Sequence, residues 1–334
     1  MTRVLLSDYP MIDPSVYRDR LSDGVDGEVT VDVAELGDVD SLVAAASGGT
    51  DTEPAVAVVT DVQTPVPAEA LAALDLDIVV RSAVGIGNID VAAAADHGVV
   101  VANVPGYSTD EVATHAIGLL LDCLRSLKPY DDAVVDGDWA WQDGRPIRRL
   151  RGATIGLVSF GPIARRAAEQ LSGFGVELVA YDPYVDADEM AGATADGVAT
   201  VGFEELFERA DHVSVHAPLT EETRGMVDAD ALAALEPDSV FVNTGRGPVV
   251  DEDALLSALE ADDGLKAAGL DVLAEEPPED NPLVGRPDTV VTPHAAWYSE
   301  DAREEVNRRG ADAVAAVLNG EEPDDRVDPN ADWL

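Results

Sequence analysis

One stretch of the chain, residues 153–182, constrains the fold more than any other. It begins with an apolar run of strand length, ATIGLVSFG, passes through Pro162 into a helical pattern, and ends in a second apolar run closed by Asp182. Strand, glycine-containing turn, helix, strand and acid follow in the order of a dinucleotide-binding βαβ unit. The alternative interpretation is an ordinary βα turn, which the flanking strands and the acid disfavour.

The turn and the acid predict how a dinucleotide binds. A helix N-terminus offers unpaired N–H groups to a pyrophosphate, and Gly161 lets the backbone come close to it. Pro162 suits the first helical position. Asp182 can accept hydrogen bonds from ribose hydroxyls and would repel a 2′-phosphate, which favours NAD over NADP. In the G-x-G-x-x-G register the residues are Ser159, Gly161 and Ala164, so a serine replaces the usual first glycine.

The charge of the chain excludes several classes of partner. Its 334 residues include 66 acidic and 21 basic ones, a formal net charge of −45. Such a balance disfavours binding to nucleic acid or to an anionic membrane, while 46% hydrophobic residues argue against disorder. We see neither a signal peptide nor an apolar run of membrane-spanning length. Because the acids are spread along the whole chain, we predict a cytoplasmic halophilic protein. We predict no metal site.

Short apolar runs alternate with helical patterns along most of the chain, which predicts an α/β fold with parallel sheets. A glycine-rich loop, Arg81–Gly87, follows one predicted strand and is either an anion cradle or a plain turn. Further on, Ser108 and Glu111 have the S-x-x-E spacing of a capping box and predict a helix to about Leu127. His115 on that helix is interpreted as a packed histidine.

Three polar side chains, Arg246, Glu275 and His294, each lie just past a predicted strand. In an open parallel sheet, ligands bind beyond the carboxyl ends of the strands, so the three are expected to converge. An arginine forks onto a carboxylate or carbonyl oxygen, and a histidine donates a proton near neutral pH. A carboxylate beside that histidine orients its ring. Each residue alone is more often a surface residue; together they suit the reduction of a 2-keto acid.

Three motifs then make the chain recognisable. They are N-T-G-R-G at Asn243–Gly247, G-L-D-V-x-x-x-E-P at Gly269–Pro277 and T-P-H-A-A-W-Y-S-E at Thr292–Glu300. In this order they resemble the D-isomer-specific 2-hydroxyacid dehydrogenases, most closely the branch of the C-terminal binding proteins. The resemblance implies two Rossmann-like domains, each a doubly wound parallel sheet, with an interdomain cleft. A flavodoxin-like substrate domain would comprise residues 1–101 plus 298–334, and an NAD-binding domain residues 102–297. Homodimers through the cofactor domains are usual in the family.

The resemblance also implies roles for individual residues. Arg246 would bind the substrate, His294 would be the acid–base residue paired with Glu275, and the N–H groups of Val84 and Gly85 would hold the substrate carboxylate. The positions at which the family contacts NAD are Ser108, Ser159, Phe160, Gly161, Pro162, Ile163, Ala164, Asp182, His216, Ala217, Pro218, Thr220, Thr244, Arg246, Asp271, His294 and Trp297. Asp271 would face the nicotinamide carboxamide.

The predicted activity is that of an NAD-dependent D-2-hydroxyacid dehydrogenase acting on a small acid such as glyoxylate or hydroxypyruvate. A formate dehydrogenase is disfavoured because its histidine pairs with a glutamine. 3-Phosphoglycerate remains an alternative substrate, although no basic cluster for its phosphate is evident and a longer form would carry a regulatory domain. A second class is an NAD-sensing dimeric binding protein with little turnover, as the C-terminal binding proteins are corepressors. The full set of three polar residues favours the enzyme.

Overall fold

The computed structural model describes residues 2–50, 52–143, 146–194 and 197–331. The chain divides into two compact units, Met1–Tyr107 with Ser299–Leu334, and Ser108–Tyr298. The sequence predicted the boundaries at 101–102 and 297–298; residues 1, 51 and 332–334 of the predicted substrate domain lie outside the described residues. The assignment of the first unit to the substrate stays a prediction.

The first unit is a five-stranded parallel sheet flanked by helices. Its strands are β1 (Thr2–Ser7), β2 (Val29–Ala34), β3 (Ala57–Thr60), β4 (Ile78–Arg81) and β5 (Val100–Ala102). Its helices are α1 (Pro14–Gly24), α2 (Val39–Ser47), α3 (Ala68–Ala73), α4 (Val91–Asp96) and the C-terminal helix (Glu300–Leu318). The strand order is β2-β1-β3-β4-β5, that of flavodoxin-like sheets. The strands β3 and β4 are buried throughout, as expected where helices cover both faces.

A buried amide attaches the C-terminal helix to the first unit. Asn307 is fully buried; its Oδ1 accepts the Asp13 N–H at 2.7 Å, and its Nδ2 donates to the Met11 carbonyl at 2.8 Å. A buried amide is costly unless it is hydrogen-bonded, so these bonds explain why a polar residue is tolerated there. They also explain why the last helix belongs with the first hundred residues.

The second unit is a seven-stranded parallel sheet. Its strands are β6 (Thr154–Val158), β7 (Glu177–Tyr181), β8 (Ala199–Thr200), β9 (His212–Val215), β10 (Val240–Asn243), β11 (Ala267–Leu270) and β12 (Thr289–Val291). Its helices are α5 (Thr109–Arg125), α6 (Leu127–Val135), α7 (Pro162–Ser172), α8 (Ala187–Ala191), α9 (Phe203–Arg209), α10 (Ala229–Ala233) and α11 (Glu252–Glu260), which makes the C-terminal helix α12. The predicted fold class, doubly wound parallel α/β, is confirmed for both units.

The order of this sheet, β12-β11-β10-β9-β6-β7-β8, contains a switch point. The chain passes from β6 to β7 on one side, and β9 then returns to pair with the other side of β6. Ligands bind beyond the carboxyl ends of strands at such a point. All paired strands are parallel, so the residues that follow them meet at one edge, which we call the carboxyl edge.

Some local expectations are wrong. The strand β8 and the helix α8 lie in an acidic, alanine-rich stretch with no clear periodicity, and neither was predicted. The helix α5 ends at Arg125 because Ser126 adopts a left-handed φ of 53°, and α6 begins after it. Ser108 lies at the N-cap of α5, but its side chain makes no capping hydrogen bond, so the predicted capping box is absent. Among the described residues no helix is long and apolar enough to cross a membrane.

Candidate active site

The dinucleotide turn begins directly after β6. Ser159 has a φ of 72°, a backbone conformation that favours glycine. Its hydroxyl donates to Asp182 Oδ2 at 3.1 Å, and the Phe160 N–H donates to the same oxygen at 2.8 Å. The serine therefore adopts a conformation suited to the missing first glycine, and its hydrogen bond to Asp182 offsets part of the strain.

The helix α7 starts where a pyrophosphate is predicted. Gly161 is its N-cap and Pro162 occupies the first helical position. A Cβ built on Gly161 would meet no atom within 4 Å, so the backbone is approachable there. Ile163 follows in the first turn, and Ala164 is fully buried against the sheet. The N–H groups of this first turn are suited to an anion.

Asp182 has one position left for a ribose hydroxyl. Its Oδ2 accepts two hydrogen bonds, from Ser159 and Phe160, and its Oδ1 accepts the Tyr184 N–H at 2.9 Å. A carboxylate accepts about four hydrogen bonds, so roughly one acceptor position remains. The negative charge disfavours a 2′-phosphate regardless of how many positions are free.

The loop after β9 holds a neutral histidine. His216 contacts the hydroxyls of Ser214 at 3.0 Å and Thr244 at 3.4 Å. Burial lowers the pKa of His216 to about 4, so the ring carries no charge near neutral pH and is unsuited to be the proton donor. The neighbouring Ala217 packs so closely that a Cβ on Gly245 would lie 2.7 Å from its carbonyl oxygen. The same loop contains the exposed Pro218 and Thr220.

Two glycines fix the loop that presents Arg246. A Cβ on Gly247 would overlap the backbone carbonyl of Leu273, so only glycine allows the two loops to touch. The Asn243 side chain accepts the Gly245 N–H at 2.9 Å and donates to the Arg246 carbonyl at 3.1 Å. Arg246 itself is exposed, and its Nη1 donates to the Gly245 carbonyl at 2.7 Å. The N-T-G-R-G motif thus fixes the backbone of the loop on which the exposed Arg246 lies.

His294 pairs with Glu276, so the prediction that Glu275 is its partner is wrong. His294 Nδ1 lies 2.6 Å from Glu276 Oε2, and Glu276 Oε1 accepts the Leu273 N–H at 2.9 Å. Glu275 is exposed and has no described hydrogen bond to His294. In the motif G-L-D-V-x-x-x-E-P the glutamate before proline is Glu276, so correct counting within the motif would have found it.

The pKa of Glu276 responds to the charges around it. Burial raises the pKa of Glu276, but the hydrogen bonds from His294 and the Leu273 N–H, together with the charges of His294 and Arg246, lower it below its usual 4.5. Glu276 is therefore a carboxylate at neutral pH. Arg246, Glu276 and His294 each lie on a loop that follows one of three adjacent strands, β10, β11 and β12, at the carboxyl edge.

Asp271 holds the turn that carries His294. It is 2% exposed; Oδ1 accepts the Ala295 N–H and Oδ2 the Ala296 N–H, both at 2.9 Å. The Thr292 hydroxyl donates to Oδ1 at 2.6 Å, and His115 Nε2 lies 2.9 Å from that hydroxyl. Thr292 and His115 were not predicted as site residues. Helical periodicity indicates the face of α5 on which His115 lies, but it does not indicate that the side chain contacts Thr292.

The remaining predicted site residues are Trp297 in the second unit and Val84 and Gly85 in the first. Trp297 packs edge-on against Tyr298, with ring centroids 5.5 Å apart. In the first unit, Val84 follows β4 and is 46% exposed, and Asn103 Nδ2 donates to its carbonyl at 2.6 Å. Within the described residues, the N–H groups of Val84 and Gly85 donate no backbone hydrogen bond. They are two adjacent donors at the end of a strand.

Comparisons with known proteins agree with this geometry. Residues 117–296 match the model of the family D-isomer specific 2-hydroxyacid dehydrogenase, NAD binding domain. The D-3-phosphoglycerate dehydrogenase of Mycobacterium tuberculosis is 39% identical over 265 residues, covering 79% of this chain and 49% of that protein. The glycerate dehydrogenase of Methylorubrum extorquens is 32% identical over 254 residues, covering 74% of this chain and 77% of that protein.

A solved structure extends the similarity over both units. The TT0316 protein from Thermus thermophilus superposes with a TM-score of 0.85 at 29% identity, covering 98% of this chain and 100% of that one. The chain spans about half the length of the mycobacterial relative. With a family model matched over more than half of its residues, the chain belongs to the D-isomer specific 2-hydroxyacid dehydrogenases, and residues 117–296 are its NAD-binding domain.

Proposed function

We propose that the chain is an NAD-dependent D-2-hydroxyacid dehydrogenase, which interconverts a small 2-hydroxy acid and its 2-keto acid. The observation that carries the proposal is the Glu276–His294 pair, with Arg246 on the loop after the neighbouring strand β10, at the carboxyl edge of an NAD-binding domain. Such a pair supplies a proton to a carbonyl oxygen, and a guanidinium binds the same oxygen or a neighbouring carboxylate.

The residues present fit NAD. The backbone at Gly161 is open, the first turn of α7 offers N–H groups, and Asp182 keeps an acceptor position for the ribose. NAD supplies the hydride donor or acceptor when it is bound. The loops that contain Thr244 and Trp297 lie at the same carboxyl edge, where they would hold the nicotinamide half.

In the reduction, this chain's residues handle the oxygen of the keto group. Arg246 would bind the substrate carboxylate and carbonyl. The Val84 and Gly85 N–H groups stay predicted donors to a carboxylate. Glu276 accepts a hydrogen bond from His294 Nδ1. The other ring nitrogen, Nε2, is then left to donate its proton to the carbonyl oxygen of the substrate. In the oxidation the same nitrogen accepts the hydroxyl proton.

Turnover of 2-keto acids tests the proposal. We expect the purified chain, in molar KCl, to consume NADH with at least one of glyoxylate, hydroxypyruvate and pyruvate. Where the product is chiral, we expect the D isomer on chiral chromatography. Failure to turn over any of these acids, combined with dimerisation that depends on NAD, would instead support an NAD-sensing binding protein.

A phosphorylated substrate is the second candidate, because one of the relatives described above is a D-3-phosphoglycerate dehydrogenase and the other a glycerate dehydrogenase. Both names denote three-carbon acids, so we propose a three-carbon substrate. Comparing kcat/KM for hydroxypyruvate and for its 3-phosphate decides between the two: the larger value identifies the substrate class.

An exposed apolar surface on the second unit supports a homodimer. The helix α6 buries none of its residues, and Val135, Trp139 and Trp141 are 79%, 89% and 79% exposed. Apolar patches of this kind mark interfaces. We expect a dimer by analytical ultracentrifugation and a monomer for Val135→Glu combined with Trp139→Glu. The control Val284→Glu, which changes an exposed valine elsewhere, should remain dimeric.

The acidic charge supports adaptation to high salt in the cytoplasm. A net charge of −45 makes the folded chain repel itself, and salt screens that repulsion. We expect the melting temperature to rise steeply from millimolar to molar KCl. An equal melting temperature in both would contradict halophilic character.

A further inference from the structure

We propose that His115, acting through the hydroxyl of Thr292, is a positioning residue that holds His294 in its working conformation. This inference rests on the proposed function. It concerns a side chain on α5 that neither the family motifs nor the charge pattern singled out.

The conformation to be held is strained. His294 has a φ of 51°, in the left-handed region that costs non-glycine residues roughly 1 kcal/mol or more. Such a residue keeps that conformation only when its surroundings impose it. An acid–base histidine also has to lie within hydrogen-bond reach of the substrate oxygen, so its backbone has to be fixed.

Asp271 imposes the conformation through three consecutive N–H groups. Its backbone carbonyl accepts the His294 N–H at 2.9 Å, and its two carboxylate oxygens accept the N–H groups of Ala295 and Ala296 at 2.9 Å. The turn therefore follows the orientation of the Asp271 carboxylate. Any rotation of that carboxylate would release at least one of the two following N–H groups.

Thr292 and His115 orient the Asp271 carboxylate. The Thr292 hydroxyl donates its single hydrogen to Asp271 Oδ1 at 2.6 Å. Its contact with His115 Nε2 at 2.9 Å must then be one in which the hydroxyl accepts, so Nε2 carries a hydrogen. Nε2 is also 3.6 Å from Asp271 Oδ1, so its hydrogen lies near the negative charge of that carboxylate.

The chain of contacts connects a rigid helix to a catalytic turn. His115 lies inside α5, a helix of 17 residues that packs against β10 and β11, and its side chain is 28% exposed. A displacement of about 1 Å in a catalytic group can cost roughly 100-fold in rate. A donor fixed on α5 therefore affects the rate indirectly, through Thr292 and the Asp271 carboxylate.

Paired substitutions test the inference. We expect His115→Leu and Thr292→Val each to lower kcat at least tenfold, with KM and the Kd for NADH changed less than about threefold. The conservative variants His115→Gln and Thr292→Ser keep the donor and the hydroxyl, and should return kcat to within about threefold of the original. Thr114→Val is the matched control on α5, since Thr114 bonds to Gln170, and should leave kcat unchanged.

The outcomes separate this inference from the proposed function. If no variant, the original chain included, turns over a 2-keto acid, the proposed function fails. If the original chain is active and His115→Leu retains its kcat, the inference is overturned. A loss that His115→Gln does not restore, with a matching fall in melting temperature, assigns His115 a structural role only and also overturns it. A crystal structure of His115→Leu gives a readout without turnover: we expect the His294–Glu276 contact to lengthen, and an unchanged contact would overturn the inference.

Discussion

Two turns at the carboxyl edge have the same local structure, and we propose different functions for them. The dinucleotide turn places Ser159 at a φ of 72° after β6, and the catalytic turn places His294 at a φ of 51° after β12. In each case an aspartate from the neighbouring strand, Asp182 or Asp271, accepts the N–H group that follows the strained residue. A left-handed residue and an adjacent carboxylate thus set both turns.

The two turns differ in the exposure of their aspartates. Asp182 is partly exposed and retains about one acceptor position for a ligand, since three of about four are used. The Asp271 carboxylate also accepts three hydrogen bonds, from Ala295, Ala296 and Thr292, but at 2% exposure it is shielded from a ligand. Because Asp182 is partly exposed, the dinucleotide turn suits a cofactor that binds and dissociates. Because Asp271 is buried, the catalytic turn suits a proton donor held in one position.

The largest expected effect comes from removing the proton donor itself. We expect His294→Ala to lower kcat by about 10³-fold, within the range that general acid–base residues supply. The Kd for NADH should change less than about threefold, because the dinucleotide turn is untouched. Kinetics and NADH fluorescence on one preparation measure both. A loss of NADH binding in parallel with kcat would mean that the two turns are not separable.

The choice of carboxylate gives the next largest effect. Glu276→Gln should lower kcat by about 10² or less, as for other partners that orient a functional histidine, and Glu275→Gln is the matched control that should change it less than twofold. Because the pKa of Glu276 is lowered below 4.5, its carboxylate is present throughout the neutral range and is lost only as the pH falls below that value. Reversed effects of the two variants would contradict the pairing.

Cofactor preference tests the dinucleotide turn alone. Asp182→Ala removes the charge that opposes a 2′-phosphate, so we expect the ratio of kcat/KM for NADPH to that for NADH to rise about tenfold. The turnover number with saturating NADH should stay within about threefold. An unchanged ratio would show that Asp182 does not face the ribose.

The smallest effect concerns the serine in the glycine motif. Ser159→Gly relieves about 1 kcal/mol of backbone strain and loses a hydrogen bond worth about 1 kcal/mol, so the free energy of unfolding should change by less than about 1 kcal/mol. Ser159→Ala keeps the strain and loses the bond, and should be about 1 kcal/mol less stable than the original. Chemical denaturation in high salt measures both. A Ser159→Ala variant as stable as the original would remove the role given to the Ser159–Asp182 bond, and equal stability of the two variants would remove the strain at Ser159.

Sequence reasoning reached the fold because apolar runs and helical patterns alternate along most of the chain. It placed Arg246 and His294 at one edge because both follow strands of a parallel sheet. It chose Glu275 in place of Glu276, although the glutamate before proline in the motif G-L-D-V-x-x-x-E-P is Glu276. It also missed the contact between His115 and Thr292, which joins residues 177 positions apart.

A crystal structure with NADH and a non-reacting 2-keto acid analogue, such as oxamate, tests the central claim most directly. We expect the analogue's carbonyl oxygen about 3 Å from both His294 Nε2 and the Arg246 guanidinium, with Glu276 still bonded to Nδ1. An analogue bound at the nicotinamide but in contact with neither side chain would contradict the account.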